Sequence, residues 1–281
     1  MTDLHGIKFQ MPAIEYHAKH DYINYSTLKV IEKATVKRAV FERTQVKEQT
    51  ESMAFGTAVH SAILTPEDYT NTYRVAPDCD KRTKDGKATY EKFTSSLEPH
   101  NIPISSENVR AIRSIVTSIA DQSEICGVLD SCTHREVSMF DSTSSPKMRC
   151  RLDACDPNCD VIIDIKTMRE PASEGNFRKL LNTYGYGLQA AFYMKVAKQL
   201  GANVKHFGFI CIETTAPYEV SAFELDHNLL NYYTENLELL LQKYKEFEES
   251  ETKTPKTWDD CFKVLDLASW QKKFAHIDPL F

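Results

Sequence analysis

Two charged residues interrupt the most apolar segment of the sequence, DVIIDIKTM at residues 160–168. Asp164 and Lys166 are two positions apart, so in a β-strand both side chains point to the same face. The valine and isoleucines around them indicate a strand that is buried on both faces. Because buried charges cost free energy, this pair is a candidate for chemistry. The alternative is a plain salt bridge or a solvated strand edge.

A third charged residue, Asp153, ends the motif RCRLD on the preceding predicted strand. Carboxylates from adjacent strands can converge, and their oxygen atoms suit hard cations such as Mg²⁺ or Mn²⁺. A lysine beside such a metal can position an attacking water and stabilise the charge that develops on a phosphate. Two acids and a lysine on central strands are therefore the minimal set for metal-dependent phosphodiester hydrolysis.

The elements that must position these residues follow from the hydrophobic periodicity of the chain. In the first half, helices are predicted from a cap at Ser26 to about Arg43 and over 55–64, 86–97 and 107–122, with an extended piece at 74–77. Three strands (134–141, 146–155, 160–168), two helices (174–183, 186–200), two strands (204–213, 218–225) and the helix 227–249 are predicted to follow. This order predicts an α/β (mixed α+β) fold, with a central mixed β-sheet flanked by helices.

We expect one domain over residues 1–281, with a helical part at about 1–130, a catalytic sheet and helices at about 131–250, and a tail at 251–281. Apolar residues make up 42% of the chain and charged residues 26%, which is ordinary for a soluble globular protein. No apolar run is long enough to span a membrane, and the N-terminus lacks the pattern of a secretory signal. We therefore expect a cytoplasmic protein.

The net charge of −6 is not typical of a nucleic-acid-binding protein, but binding depends on where the basic groups cluster. The segment CDKRTKDGK (79–87) contains the densest group, Lys81, Arg82, Lys84 and Lys87. We predict that these residues contact DNA phosphates, and a solvated surface loop is the alternative.

Eight cysteines raise the question of a metal–thiolate site, since three of them, Cys150, Cys155 and Cys159, lie close together in the sequence. Their spacing does not give the usual pair of cysteines two residues apart, and no second pair follows closely. We expect reduced thiols in all eight positions.

The ordered motifs resemble the PD-(D/E)xK nuclease superfamily, whose core matches Asp153 followed by Asp164-Ile165-Lys166. GTAVHSAIL (56–64) resembles the Gly-x-x-x-His segment of its RecB-like branch, and QAAFY (189–193) resembles the Gln-x-x-x-Tyr motif. The whole run, over roughly residues 15–240, is similar to the nuclease domain of RecE-type exonucleases. Leu152 stands at the position of the proline in the superfamily's name. The residue at this position takes no part in the chemistry.

The resemblance implies further site residues. His60 would supply an imidazole nitrogen to a metal, and Glu136 would place an acid near it. The backbone carbonyl of Ile165 would also reach a metal. The alternatives are a helix histidine bound to a backbone carbonyl and a strand glutamate that faces solvent.

Gln189 and Tyr193 are spaced i, i+4, so they share one face of a helix. The resemblance implies that this face lies towards the active site and the DNA backbone. The alternative for Tyr193 is a purely structural place in the core.

The resemblance implies a Mg²⁺-dependent exonuclease, with Mn²⁺ as a competent substitute, that degrades linear double-stranded DNA from its 5′ end. The 3′ single strands so exposed would serve a single-strand annealing recombinase of the RecT type, in a bacterial or phage-infected host cell. It also implies a ring-like homo-oligomer, with a tetramer favoured over a trimer, and no membrane partner. The alternatives are another repair or CRISPR-type nuclease on the same core, and a non-catalytic DNA-binding protein.

Overall fold

A six-stranded sheet forms the centre of the computed structural model, which describes residues 4–45 and 48–250. The strands are β1 (Gly6–Lys8), β2 (Tyr73–Val75), β3 (Ile102–Ile104), β4 (His134–Asp141), β5 (Met148–Cys155), β6 (Val161–Met168), β7 (His206–Glu213) and β8 (Val220–Glu224). The main sheet has the order β1-β4-β5-β6-β7-β8, while β2 and β3 form a separate parallel pair.

Eleven helices occur within the described ranges. They are α1 (Ala13–His17), α2 (Tyr25–Lys33), α3 (Val36–Arg43), α4 (Glu51–Leu64), α5 (Pro66–Thr72), α6 (Lys84–Ser95), α7 (Ser106–Ala120), α8 (Ser123–Ser131), α9 (Glu174–Tyr184), α10 (Tyr186–Gln199) and α11 (His227–Glu249). None of them is long and apolar enough to cross a lipid bilayer.

The sheet is mixed, which confirms the predicted fold class. Strands β4, β5 and β6 are consecutive and antiparallel, whereas β6 and β7 are parallel and are joined through α9 and α10. A parallel pair needs such a crossover, because a short turn cannot bring the chain back to the same end of the sheet. This crossover brings α10 against the centre of the sheet.

Helices cover both faces of the sheet. On one face α2, α10 and α11 pack over a core that includes Leu152, Ile162 and Phe192. On the other face α4, α7 and α8 pack over a core that includes Ile163 and Ile165. Burial of these apolar side chains provides the main driving force for folding. Consecutive residues of β6 thus point into different cores, as strand geometry requires.

The N-terminal helix prediction is wrong in one respect, because residues 26–43 form two helices. Asn24, not Ser26, caps the first helix, and its side chain accepts a hydrogen bond from the backbone N–H of Thr27 at 3.0 Å. Ala34 then leaves helical geometry, and the Thr35 hydroxyl caps α3. Side-chain capping at both positions makes the break stable. The helix predicted over 107–122 begins at Ser106, and the Ser105 hydroxyl caps it by accepting a hydrogen bond from the N–H of Asn108.

Gly187 fixes the contact between α10 and α11. A Cβ at this position would overlap the ring of Tyr233 on α11. The hydroxyl of Tyr233 donates a hydrogen bond to Asn182 Oδ1 of α9 at 2.8 Å. One tyrosine of α11 therefore holds both helices of the crossover. The single-domain organisation over 1–281 stays a prediction, and its tail at 251–281 lies outside the described residues.

Candidate active site

Asp164, Lys166 and Gln189 form a closed cluster between β6 and α10. Lys166 Nζ lies 2.6 Å from Asp164 Oδ2 and donates a hydrogen bond to Gln189 Oε1 at 2.8 Å. Gln189 Nε2 in turn donates to Asp164 Oδ1 at 2.6 Å. Asp164 is only 2% exposed and Gln189 only 4%. The predicted pair of charges is thus on one face of a buried strand, where α10 supplies its polar partner.

One oxygen of this cluster is incompletely satisfied. Asp164 Oδ2 is buried and accepts no hydrogen bond of normal geometry, although the Lys166 ammonium is close enough to form an ion pair. Burial lowers the pKa of Lys166, but the charge of Asp164 together with Tyr25, Tyr186 and Asp153 raises it by more, so the pKa lies above its ordinary value. Lys166 therefore carries its charge at neutral pH, and Asp164 keeps one oxygen with capacity for a cation.

Asp153 lies where β5 and β6 separate. The pairing of these strands ends at Ala154 and Ile163, and beyond that point Asp153 Oδ2 accepts the backbone N–H of Ile165 at 2.8 Å. The Asp153 carboxylate thus takes the place of the backbone carbonyl that would accept this N–H in a regular β-ladder. Burial raises the pKa of Asp153 well above its ordinary value, and the negative charge of Asp164 adds to this effect. A bound cation would relieve both contributions.

His60 approaches Asp153 from α4, with Nδ1 at 3.5 Å from Asp153 Oδ2. Gly56 lies one turn earlier on the same helix face and permits a close approach to β6, since a Cβ there would lie 3.2 Å from Thr167 Oγ1. Burial lowers the pKa of His60. The imidazole is therefore neutral at neutral pH, which is the state that can bind a metal.

Glu136 forms part of the same region but is already paired. It has a positive φ of 52°, a conformation that is uncommon and strained for a residue other than glycine. Its Oε2 lies 2.6 Å from Nε of Arg151, whose guanidinium also donates to the carbonyl of Met11 and to Ser138 Oγ. The structure thus places Glu136 opposite Asp153 on β4, with its charge balanced by an arginine.

A cleft with a volume of about 710 Å³ borders part of this region. Its lining includes His60, Glu136, Arg151, Thr167 and Tyr186. Two of the lining residues contact the polar groups behind them, His60 next to Asp153 and Tyr186 next to Lys166.

Tyr193 is placed in the core, one turn beyond Gln189. It is 8% exposed, and its ring packs edge-on against those of Tyr25 at 6.1 Å and Phe207 at 6.3 Å. Burial raises its pKa well above the ordinary value. The structure therefore brings Gln189 to the polar cluster and Tyr193 to the apolar layer beneath it.

The predicted DNA-binding residues Lys81, Arg82, Lys84 and Lys87 are all exposed at the start of α6. Lys81 lies over the ring of Tyr90, with Nζ at 3.5 Å from the ring centroid, and Arg82 pairs with Asp80. None of these four described residues lines the cleft. Their role in DNA binding stays a prediction.

The donors present fit a divalent cation, although they are not arranged as a formed metal centre. No group of three or more His, Cys, Asp or Glu side chains within 4–45 and 48–250 is close enough to hold a metal. The carboxyl oxygens of Asp153 and Asp164, including the incompletely satisfied Oδ2 of Asp164, are nevertheless hard donors, and the neutral imidazole of His60 adds a nitrogen donor. Whether the Ile165 carbonyl reaches a metal stays a prediction.

The cysteines offer no competing metal site in the described part of the chain. Cys155 and Cys159 are buried with their sulfur atoms 3.5 Å apart, and Cys150 lies in the same core. The seven described cysteines are free thiols, as predicted, and Cys261 lies outside the described residues.

Sequence reasoning missed Tyr186, whose ring centroid lies 4.4 Å from Lys166 Nζ. The signal was available, because Tyr186 is three residues before Gln189 and so shares its helix face. It also missed Arg151 as the partner of Glu136, since that contact depends on the register of β4 and β5.

Comparison with known proteins agrees with this fold. A family model described as a PDDEXK-like domain of unknown function (DUF3799) matches residues 24–262. A candidate exonuclease from Eubacterium rectale superimposes with a TM-score of 0.57 at 14% identity, over 96% of this chain and 100% of that chain. A phage-related exonuclease from Haemophilus somnus 129PT gives a TM-score of 0.32 at 12% identity, over 83% and 98%. No curated protein matches this sequence significantly.

Proposed function

Because the chain belongs to the family of PDDEXK-like domains of unknown function (DUF3799), we propose that it is a divalent-metal-dependent nuclease that acts on DNA. The observation that carries this proposal is the buried Asp164–Lys166–Gln189 cluster beside Asp153, whose neighbours His60 and Tyr186 line a cleft. A structural salt bridge explains Asp164 and Lys166 alone. It does not explain a second acid, Asp153, whose pKa is raised by burial and then by the charge of Asp164, at the point where the strands separate.

The proposed roles follow from the contacts. Asp153, Asp164 and His60 would hold the cation, which when bound supplies positive charge beside a phosphate. Lys166 would orient the attacking water with its ammonium group, and Gln189 would keep that group in place through the hydrogen bond to its amide oxygen. Glu136 lines the cleft with its charge balanced by Arg151, so it would shape the binding surface.

The finer proposal is a RecE-type 5′-to-3′ exonuclease that acts on linear double-stranded DNA with Mg²⁺, or with Mn²⁺ as a substitute. It would produce 3′ single-stranded overhangs for an annealing recombinase of the RecT type. This part rests on the motif resemblance, from Gly56-x-x-x-His60 to Gln189-x-x-x-Tyr193.

The test uses linear duplexes labelled at the 5′ or the 3′ end and a closed circular duplex of the same sequence. We expect Mg²⁺-dependent release of the 5′ label from linear DNA and no cleavage of the circle. Cleavage of the circle would instead identify an endonuclease on the same core. DNA binding with no cleavage in Mg²⁺ or Mn²⁺ would favour the non-catalytic alternative.

We also propose a ring-like homo-oligomer, with four subunits favoured over three. A monomer of net charge −6 with one dense basic cluster binds duplex DNA weakly, whereas a closed ring repeats that cluster around one channel. Light scattering measures the mass of the assembly. A monomer that degrades linear duplexes would contradict the ring.

A further inference from the structure

Lys166 has a third neighbour that no motif predicts. The ring of Tyr186 lies under the ammonium group, with Nζ 4.4 Å from the ring centroid. A cation at this distance from an aromatic face is attracted by the ring, and the attraction grows when water is excluded. The side chain of Lys166 is only 13% exposed, so the contact is largely shielded from solvent.

The Tyr186 ring is itself held firmly. It stacks on Phe177 of α9, with centroids 6.3 Å apart and planes at 23°, and it packs against Phe209 of β7. Tyr186 is also the first residue of α10, and Gln189 on the next turn donates to Asp164. Burial raises the pKa of Tyr186 to about 12, so its hydroxyl stays protonated and the ring neutral.

Two elements therefore hold Lys166 from different sides. Asp164 belongs to the same strand as Lys166, while Tyr186 and Gln189 come from one face of α10. Asp164 is also a proposed cation ligand, so it cannot be the only group that fixes the ammonium. Of the contacts from α10, the Tyr186 ring occupies neither oxygen of Asp164, whereas Gln189 also donates to Asp164 Oδ1.

We propose that Tyr186 is a positioning residue: its ring, together with the Gln189 amide oxygen, holds the Lys166 ammonium from α10, and the ring does so without occupying an oxygen of Asp164. This inference rests on the proposed nuclease function for its effect on turnover. The contact itself does not depend on that function.

The kinetic test compares Tyr186→Leu, which removes the ring, with Tyr186→Phe, which keeps it. We expect Tyr186→Leu to lower turnover at least about tenfold, with KM for DNA nearly unchanged, because an interaction needed only during reaction is lost. Tyr186→Phe should restore most of that loss. The Mn²⁺-induced rise in Tm should be the same in both variants. Tyr232→Leu, at an exposed tyrosine of α11, is the matched control.

A second measurement needs no activity. Urea unfolding of Tyr186→Leu, Lys166→Met and the double variant forms a double-mutant cycle. We expect Tyr186→Leu to change the unfolding equilibrium constant at least about threefold less in the Lys166→Met background, as a cation–π contact requires. If Tyr186→Leu does not fold, Tyr186→Met takes its place in both measurements.

Three results would overturn the proposal: full turnover in Tyr186→Leu, an equal defect in Tyr186→Phe, or the same unfolding effect in both backgrounds. A wild-type protein that cleaves no DNA would refute the proposed function. In that case the unfolding cycle alone decides whether Tyr186 holds Lys166.

Discussion

Asp153 Oδ2 accepts a hydrogen bond from the backbone N–H of Ile165 at 2.8 Å, immediately beyond the last paired residues of β5 and β6. The carboxylate thus takes the place of a strand carbonyl and also faces His60. A structural acceptor and a candidate cation ligand therefore belong to the same carboxylate. A substitution that removes only the charge of Asp153 should therefore have a different effect from one that also removes its hydrogen-bond acceptor.

Replacement of Asp153 by asparagine should abolish activity without loss of stability. The amide oxygen can still accept the N–H of Ile165, and the buried repulsion from Asp164 disappears. We expect cleavage of linear DNA to fall at least about a hundredfold, because a ligand of the cation is lost. Thermal unfolding in EDTA should show an unchanged or higher Tm. Asp130→Asn, at an exposed position of α8, is the control, and near-normal cleavage by Asp153→Asn would remove it from the site.

The same residue predicts a pH dependence of stability in EDTA. Burial, followed by the charge of Asp164, raises the pKa of Asp153 in the folded state. The folded protein therefore binds more protons than the unfolded chain above about pH 4, and stability falls as pH rises towards the folded pKa. Urea unfolding at a series of pH values should show that the advantage of Asp153→Asn over wild type grows with pH. An advantage that is constant from about pH 4 to 7 would contradict the shift.

Replacement of Lys166 by methionine should destabilise the metal-free protein. It leaves the buried carboxylate of Asp164 without its cation, a change that costs about 3–5 kcal/mol when one partner of a buried pair is removed. Asp164→Asn combined with Lys166→Met is the control, since a neutral pair should recover most of the loss. Urea unfolding measures both variants, and equal stability of the single and double variants would show that the pair contributes little.

Replacement of His60 by alanine should weaken cation binding more than DNA binding. Burial lowers the pKa of His60, so the neutral ring is available as a ligand at neutral pH. We expect the Mn²⁺ concentration for half of the Tm rise to increase about tenfold. His100→Ala, at an exposed histidine, controls for the loss of an imidazole elsewhere. Unchanged Mn²⁺ affinity would return His60 to a structural role.

Neutralisation of the basic cluster should reduce the salt dependence of DNA binding. Substitution of Lys81, Arg82, Lys84 and Lys87 by glutamine removes four exposed charges, and each phosphate contact contributes roughly 0.9 to the log–log slope. We expect the slope to fall by more than about one. Glutamine at Lys37, Lys198, Lys243 and Lys245, which are also exposed, is the control. An equal fall in both variants would mean that only net charge matters.

The strands of the site could be predicted because the hydrophobic pattern of each strand lies within its own residues. Residues 134–141 match β4, and β5 and β6 begin within two residues of the predicted positions. The three-residue strand β1 was missed, because so short a segment carries no periodicity of its own and is defined by its pairing with β4.

The pattern of charged residues on the strands and the family resemblance predicted the candidate site residues, but not their contacts. The separation of β5 and β6 beyond Ala154 and the positive φ of Glu136 arise from the packing of the whole sheet. Tyr186 was missed although its signal does not depend on the packing of the whole sheet. Its helix-face relation to Gln189 is local, but tyrosine is also a common core residue, so spacing alone did not mark it.

The contact between Gly187 and Tyr233 has a consequence for how this family can vary. Gly187 lies between Tyr186 and Gln189 on α10, and its backbone touches the Tyr233 ring. A larger residue at 187 would displace α10, and both side chains that hold Lys166 would move with it. Positions 187 and 233 should therefore covary across homologues, with a bulkier residue at one accompanied by a smaller residue at the other, although neither touches the cleft.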